Sequence, residues 1–399
     1  MISFKDAYQK VLDHCQDYGD EQIPLSQATG RILAEDIVAD RDFPPFNRAT
    51  KDGIAINYKA IEKGQTTFKI EGVVAAGMPS CSLSDTANCL EIMTGAVLPE
   101  NADTVIMYEH VIIENGWATL IKPPSKGQDI HPQGSDQKKG NVVLRKFCTI
   151  TPAEIGVLAA VGKATLKVRA LPSTAIVSTG NELVDISETP LPHQIRKSNI
   201  HTLFSALGQE GIEPTPLHLA DDKESIRKVL RKSLQEHKVI LLSGGVSKGK
   251  YDFIPEILNE LQVEKIFHGV KQRPGKPFWF GVQKETGTVV FSFPGNPVST
   301  FVNYTTYFKD WLKQSLGIPL SEIKVALKEE VVIKGELTLL LRAKLHLLDG
   351  KLQASLVKEN GSGDLNSLVP TDGFIVVAPN KEVYEIGEYV VFIPTRRLL

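Results

Sequence analysis

A chain of 399 residues is too long for one hydrophobic core, and its size predicts two to four domains. With 42% apolar and 23% charged residues it has the make-up of a soluble globular protein, and a net charge of −2 excludes any global attraction to nucleic acid or an anionic membrane. No stretch approaches the ~18 uninterrupted apolar residues a membrane span requires, and no basic-then-apolar leader opens the chain, so the expected compartment is the cytoplasm.

Ser3 is placed to cap an opening helix in which Phe4, Ala7, Tyr8, Val11, Leu12 and Cys15 recur at helical spacing. Asp42-Phe43-Pro44-Pro45-Phe46 then breaks regular structure. Short β-rich runs follow at 68–75, 89–93, 104–108 and 118–121, punctuated by Gly and Pro, which predicts a compact β-rich domain over roughly 53–144. An Ala-rich helix over 152–161 leads into a different pattern. Apolar strands at 174–178, 215–219, 239–242, 265–267 and 289–293 alternate with helices near 198–209, 222–236, 253–261 and 297–316, with one further strand over 277–281. That alternation predicts a doubly wound, mostly parallel α/β sheet. Beyond Gly317-Ile318-Pro319, strands at 326–333, 338–346, 352–356, 373–377 and 389–393 predict a small β-barrel or sandwich. Cys15, Cys81, Cys89 and Cys148 form no C-x-x-C pair and nine histidines form no ligand cluster, so reduced thiols and no structural transition metal are expected.

In a doubly wound sheet, ligands bind beyond the carboxyl ends of the strands. Those ends carry Thr179-Gly180-Asn181-Glu182, Ala220-Asp221-Asp222, Ser243-Gly244-Gly245 and Pro294-Gly295-Asn296-Pro297. The run Ser243-Gly244-Gly245-Val246-Ser247-Lys248-Gly249-Lys250-Tyr251-Asp252 has the glycines, hydroxyls and following helix that suit a phosphate. Taken alone, it is equally compatible with an ordinary strand-to-helix connection. Glu182, Asp221 and Asp252 on the same rim suggest Mg²⁺ shared with ligand phosphates, whereas Asp222 reads better as a helix cap. Lys271, Arg273 and Lys276 surround the Pro274-Gly275 turn and suit a small oxyanion, although a solvated basic turn would look the same. Asn296 and Pro297 have the residue types of a helix N-terminus. No Ser-His-Asp or Cys-His set is legible, so nucleophilic catalysis by the protein is not expected.

Several motifs together carry a resemblance: Ala28-Thr29-Gly30-Arg31-Ile32-Leu33-Ala34-Glu35-Asp36, Asp52-Gly53, Met93-Thr94-Gly95-Ala96, Thr179-Gly180-Asn181-Glu182-Leu183, Ser243-Gly244-Gly245-Val246-Ser247, Pro274-Gly275-Lys276-Pro277 and Pro294-Gly295-Asn296-Pro297-Val298-Ser299. In order and spacing they resemble the molybdopterin molybdenumtransferases of the MoeA type, which include the E domain of gephyrin. The resemblance implies an α/β multidomain chain. Its parts would be an elongated linking domain (1–45 and 146–171), a β-rich second domain (46–145), a molybdopterin-binding-like α/β domain (172–317) and a C-terminal β-barrel (318–399). It also implies a homodimer with its active cleft between subunits, acting on adenylylated molybdopterin and molybdate with release of AMP in the presence of Mg²⁺. A molybdopterin adenylyltransferase and molybdoenzymes or their chaperones are the implied protein partners. The family's functional acids match Asp52, Asp136, Glu182, Asp221 and Asp252, with Thr94 as the matching hydroxyl. Its molybdate-binding cations match Arg273, Lys276 and Arg342, with Ser299 and Ser362 as hydroxyl partners. Two other functions fit parts of the chain: a non-catalytic scaffold of the gephyrin kind, and a molybdopterin adenylyltransferase.

The chain also departs from that family. Where it usually shows Phe-Asp-Asn-Ser-Ala-Met-Asp-Gly-Tyr, this chain has Phe46-Asn47-Arg48-Ala49-Thr50-Lys51-Asp52-Gly53-Ile54, so five successive positions differ before Asp52. Arg273 stands where Lys is commoner, and Lys197 where an acid is frequent.

Overall fold

A strand buried at every position must be covered on both faces. In the computed structural model, which describes residues 1–220, 222–246 and 253–396, three such strands form the middle of a six-stranded sheet. Every residue of Thr174–Thr179, Val239–Ser243 and Val289–Phe293 is buried. The strand order is Thr215–Leu219, Thr174–Thr179, Val239–Ser243, Val289–Phe293, Trp279–Gln283, Val263–His268. The first four run parallel, Trp279–Gln283 runs against them, and Val263–His268, antiparallel to Trp279–Gln283, runs with the first four again. The connection from Trp279–Gln283 to Val289–Phe293 is a tight turn, far too short for a crossover helix, so that end of the sheet has to reverse direction.

Helices cover both faces, as the alternating pattern predicts. On one face Phe4–Leu12, Ser198–Gln209 and the long helical stretch from Pro297 to Ser315 enclose an aromatic core that includes Phe278, Phe280, Phe291, Phe293, Tyr307 and Trp311. On the other, Lys223–Glu236 and Ile254–Glu260 bury Ile226, Leu230, Ile257 and Leu258. Ser3 accepts the Asp6 N–H at 3.1 Å and caps the first helix. The stretch expected as one α-helix is interrupted by a π-helical turn at Tyr304–Phe308, where the Thr305 hydroxyl donates to the Phe301 and Val302 carbonyls.

The C-terminal strands close on themselves, which decides for a barrel over a sandwich. Thr338–Leu348, Lys351–Leu356, Ile323–Leu327, Tyr389–Pro394 and Gly373–Val377 pair in that circular order. The barrel packs against helix Pro297–Asn303 through Leu340 and Phe374 on Val298 and Val302. Together with Met1–Glu21 and Gly30–Ile32, residues 168–399 make one compact unit.

The other unit comprises Gln22–Thr29 and Leu33–Lys167. Its six-stranded sheet has the order Thr104–Met107, Gly53–Ile56, Cys89–Ile92, Thr67–Val74, Trp117–Leu120, Val111–Glu114. Ile37–Val38 pairs antiparallel with Val142–Leu144, and helix Pro152–Ala160 begins with a reciprocal cap between Thr151 and Glu154. The four cysteines are free thiols, and burial pushes the Cys89 thiol up to about 12, so it is protonated and inert at neutral pH.

Trp311 is fully buried, meets Phe291 edge-on at 5.4 Å and donates its indole N–H to the His14 carbonyl at 2.9 Å. Trp311→Ala is expected to cost about 3–5 kcal/mol, read as a lower denaturant midpoint for the unit that contains it.

Candidate active site

At the carboxyl ends of the central strands lies a cleft of about 680 Å³, lined among others by Gly180, Glu182, Ser198, Ser243, Gly245, Pro294 and Asn296. The loop after Val239–Ser243 turns sharply, with Gly245 at φ +70°, where a Cβ would stand 2.6 Å from the Ile254 side chain. Only glycine lets this backbone lie so close to the next helix. Asn199 ties the rim together: its amide donates to Ser243 Oγ at 2.8 Å and to the Gly295 carbonyl at 2.7 Å. It was not among the residues expected in the site. Its one sequence signal is an amide in the first turn of a helix that follows a polar loop.

Asn296 does not cap the helix it precedes. Its Nδ2 instead donates to Ser362 Oγ at 2.7 Å, and Val298 N–H donates to the Ser362 carbonyl at 3.2 Å, so a loop of the barrel seats on the helix start. Gly363 and Leu365 from that loop line the cleft, and sequence spacing gave no hint of this. Pro297 occupies the first helical turn as expected, and Ser299 is buried two residues later. Asp222 caps Lys223–Glu236 by accepting the Ser225 N–H at 2.8 Å. Asp221, Ser247 and Asp252 lie outside the described residues.

The cation turn is positioned from beneath. Gln272 and Asn303 are both fully buried; Gln272 Nε2 donates to Asn303 Oδ1 at 2.8 Å and to the Pro274 carbonyl at 2.9 Å, and Asn303 Nδ2 donates to the Gly275 carbonyl at 3.2 Å. The Tyr307 hydroxyl donates to Gln272 Oε1. Gly275 adopts φ +89°, and a Cβ there would lie 2.4 Å from Asn303 Oδ1. Lys271, Arg273 and Lys276 project from this turn, all exposed, and the next residue, Pro277, lines the cleft. Lys271 has the Glu336 carboxylate 3.8 Å away; among the described residues Arg273 and Lys276 have no acidic partner.

Arg342 is placed differently from the exposed cations. It is 5% exposed and donates to the Glu359 carboxylate and, at 2.8 Å, to the Gly361 carbonyl. Glu359 in turn accepts the Gly361 N–H at 2.7 Å. Arg342 thereby orders the loop that carries Ser362 and Gly363.

In the other unit, Asp52 accepts both the N–H and the hydroxyl of Thr94, at 2.6 and 2.7 Å. The Thr94 hydroxyl and then its N–H hold this exposed carboxyl below the usual carboxylate range. Asp136 accepts from His131 Nε2 at 2.7 Å, and His131 Nδ1 lies 3.2 Å from Arg48 Nη2. Asn47, another of the divergent positions, accepts the Gln133 N–H at 2.7 Å.

This geometry has relatives along the whole chain. Residues 2–162 match the family model for the MoeA N-terminal region (domain I and II), 175–314 the one described as "Probable molybdopterin binding domain", and 324–395 the MoeA C-terminal region (domain IV). A Synechocystis protein named molybdopterin molybdenumtransferase is 38% identical over 392 residues, covering 97% of this chain and 98% of that protein. The chain belongs to the molybdopterin molybdenumtransferase family. A Staphylococcus aureus molybdopterin molybdenumtransferase is 32% identical over 405 residues, with 99% of this chain and 96% of that protein covered. The crystal structure of a molybdopterin biosynthesis MoeA protein from Pyrococcus horikoshii superposes with a TM-score of 0.82 and 31% identity over the full length of both chains. Membership in the molybdenumtransferase family accounts for the multidomain architecture and gives the cleft at the strand ends a chemical context.

Thr94→Val removes the hydroxyl that contributes most to Asp52's low pKa and retains the weaker N–H contribution. The Asp52 carboxyl is expected to titrate at higher pH in that variant, nearer ordinary aspartate, as followed by its side-chain carbon shift in NMR. By linkage, the stabilisation due to ionised Asp52 is present above its unfolded pKa and fades as pH falls through the folded value, so the variant should lose that contribution at higher pH.

Proposed function

We propose that this molybdopterin molybdenumtransferase, an enzyme of molybdenum cofactor biosynthesis, binds adenylylated molybdopterin in the cleft at the strand ends and inserts molybdate with release of AMP. The observation that carries this reading is the pairing of the Ser243-Gly244-Gly245 loop with a turn whose Arg273 and Lys276 have no acidic partner among the described residues and whose backbone is fixed by buried Gln272 and Asn303. The loop supplies hydroxyl and glycine backbone for a phosphorylated ligand. Arg273 and Lys276 suit a tetrahedral dianion, which trades part of its water shell for charged donors. Ser299 and Ser362 extend that set, and Arg342 acts by ordering the Ser362 loop.

Phosphoryl chemistry depends chiefly on positioning and charge neutralisation. Asp52, oriented by Thr94, and Asp136, oriented by His131, are acids we assign to turnover. Among the described residues no group of three or more His, Cys, Asp or Glu is placed to hold a metal. The donor available at the cleft is the hard oxygen of Glu182, which fits Mg²⁺. We assign Mg²⁺ to Glu182 with Asp221 and Asp252, where it would neutralise ligand phosphate charge.

The acids at 52 and 136 and the cleft belong to different compact units. A homodimer whose clefts each combine the α/β domain of one subunit with the β-rich domain of the other would bring the two sets together. The reading further includes a four-part subunit with a linking domain over 1–45 and 146–171, supported by backbone hydrogen bonds between those segments, from Leu33 N–H to the Cys148 carbonyl and from Ala34 N–H to the Lys167 carbonyl, each at 3.0 Å. It also includes a cytoplasmic setting; among the described residues no helix is long and apolar enough to cross a membrane. An adenylyltransferase role would leave the barrel and β-rich domain without a task, and a scaffold role would leave the cation turn without one.

The reading is tested by mixing the protein with adenylylated molybdopterin, Mg²⁺ and molybdate and following AMP and bound molybdenum together. Their coupled, molybdate-dependent appearance is expected; pterin binding without turnover would overturn it. In the same assay Asp52→Ala should lower kcat about a hundredfold or more while the mass in sedimentation stays dimeric. Lys276→Ala should mainly raise the half-saturating molybdate concentration, by about tenfold.

A further inference from the structure

We infer that Arg48 and His131 are positioning residues of this enzyme, forming a relay of fixed hydrogen-bond polarity that aims the Asp136 carboxylate; the inference rests on the role proposed above for Asp136. Arg48 and His131 stand directly opposite each other in the two-residue ladder of Arg48–Ala49 with Ile130–His131. A guanidinium has donors only, so Arg48 Nη2, 3.2 Å from His131 Nδ1, has to donate, and Nδ1 has to carry the lone pair. The ring proton then sits on Nε2, which donates to Asp136 Oδ1 at 2.7 Å. Asp136 is the most exposed member, with a side chain 55% accessible against 29% for His131, so the carboxylate is held through Oδ1 while its side chain stays accessible. Its backbone is pinned as well, by donation of its N–H to the Phe43 carbonyl at 2.9 Å.

Arg48 is one of the positions at which this chain departs from the family pattern, and its strand lies beside the other assigned acid. Arg48 also bridges Val97, and Ala49 exchanges hydrogen bonds with Gly95 and Ala96, the residues that follow Thr94. The same short strand thus braces the turns that carry Asp52–Thr94 and Asp136. The substitution has added a cation whose function here is to fix a tautomer.

The test combines a readout independent of activity with a rescue. With ¹⁵N-labelled histidine, NMR of the intact protein should show His131 in the Nε2–H tautomer, and Arg48→Met should introduce the Nδ1–H form. His131→Phe should lower kcat about tenfold to a hundredfold with the molybdate half-saturation within about twofold. His131→Gln, which keeps a donor near the Nε2 position, should recover most of that loss. An Nδ1–H tautomer in the unmodified protein overturns the relay, as does equal impairment of the Phe and Gln variants or wild-type turnover in both. Should His131→Phe fail to fold, the tautomer measurement on Arg48→Met decides. Asp136→Asn separates the two readings: full turnover there removes the proposed role of Asp136, whereas a crippled Asp136→Asn beside an active His131→Phe removes only the relay.

Discussion

The organisation of the α/β domain follows from one constraint, the complete burial of its central strands. A strand covered on both faces can present polar groups to a ligand only where its backbone leaves the sheet. Thr174–Thr179, Val239–Ser243 and Val289–Phe293 all leave at the same rim, so their loops share one cleft. Asn199 then links two of these loops through one side-chain amide. The aromatic core on one face and the Ile and Leu core on the other keep that rim from shifting.

A second layer of order comes from polar groups that have no access to water. A buried amide left unpaired costs about 1–3 kcal/mol, so Gln272 and Asn303 are strongly held to their partners, the backbone carbonyls of the cation turn. Tyr307 completes the set from the helical stretch that also contains the π-helical turn. The exposed charges of Arg273 and Lys276 thus sit on a backbone fixed in advance, the condition under which charge is most effective toward a developing or bound anion. Buried Arg342, paired with the exposed Glu359 carboxylate, fixes the barrel loop in a similar way and presents it to Asn296.

The β-rich domain solves a different problem. Its assigned acids are solvent-exposed, and water would let them reorient unless each were tethered by directional hydrogen bonds. Thr94 tethers Asp52 with two donors, and His131 tethers Asp136 with one whose polarity Arg48 sets. Divergent residues of the segment before Asp52 are therefore integrated into the local structure: Asn47 and Arg48 both bond to the 131–133 segment.

Local sequence determined the elements, the doubly wound sheet and the glycine-rich loop at its rim, because burial periodicity and turn chemistry act over a few residues. It also marked the cation turn and the pairing of capping residues such as Ser3 and Asp222 with their helices. It could not decide between barrel and sandwich, since closure depends on Thr338–Leu348 meeting Gly373–Val377 as well as its hairpin neighbour. Nor could it show that Asn296 bonds to Ser362 rather than capping its own helix, that Arg342 is buried against Glu359, or that Gln272 and Asn303 support the turn from beneath. Each of these is a pairing between segments distant in the chain. A polar side chain chooses its partner by which donor or acceptor lies within about 3 Å, and only the packed core brings those groups together.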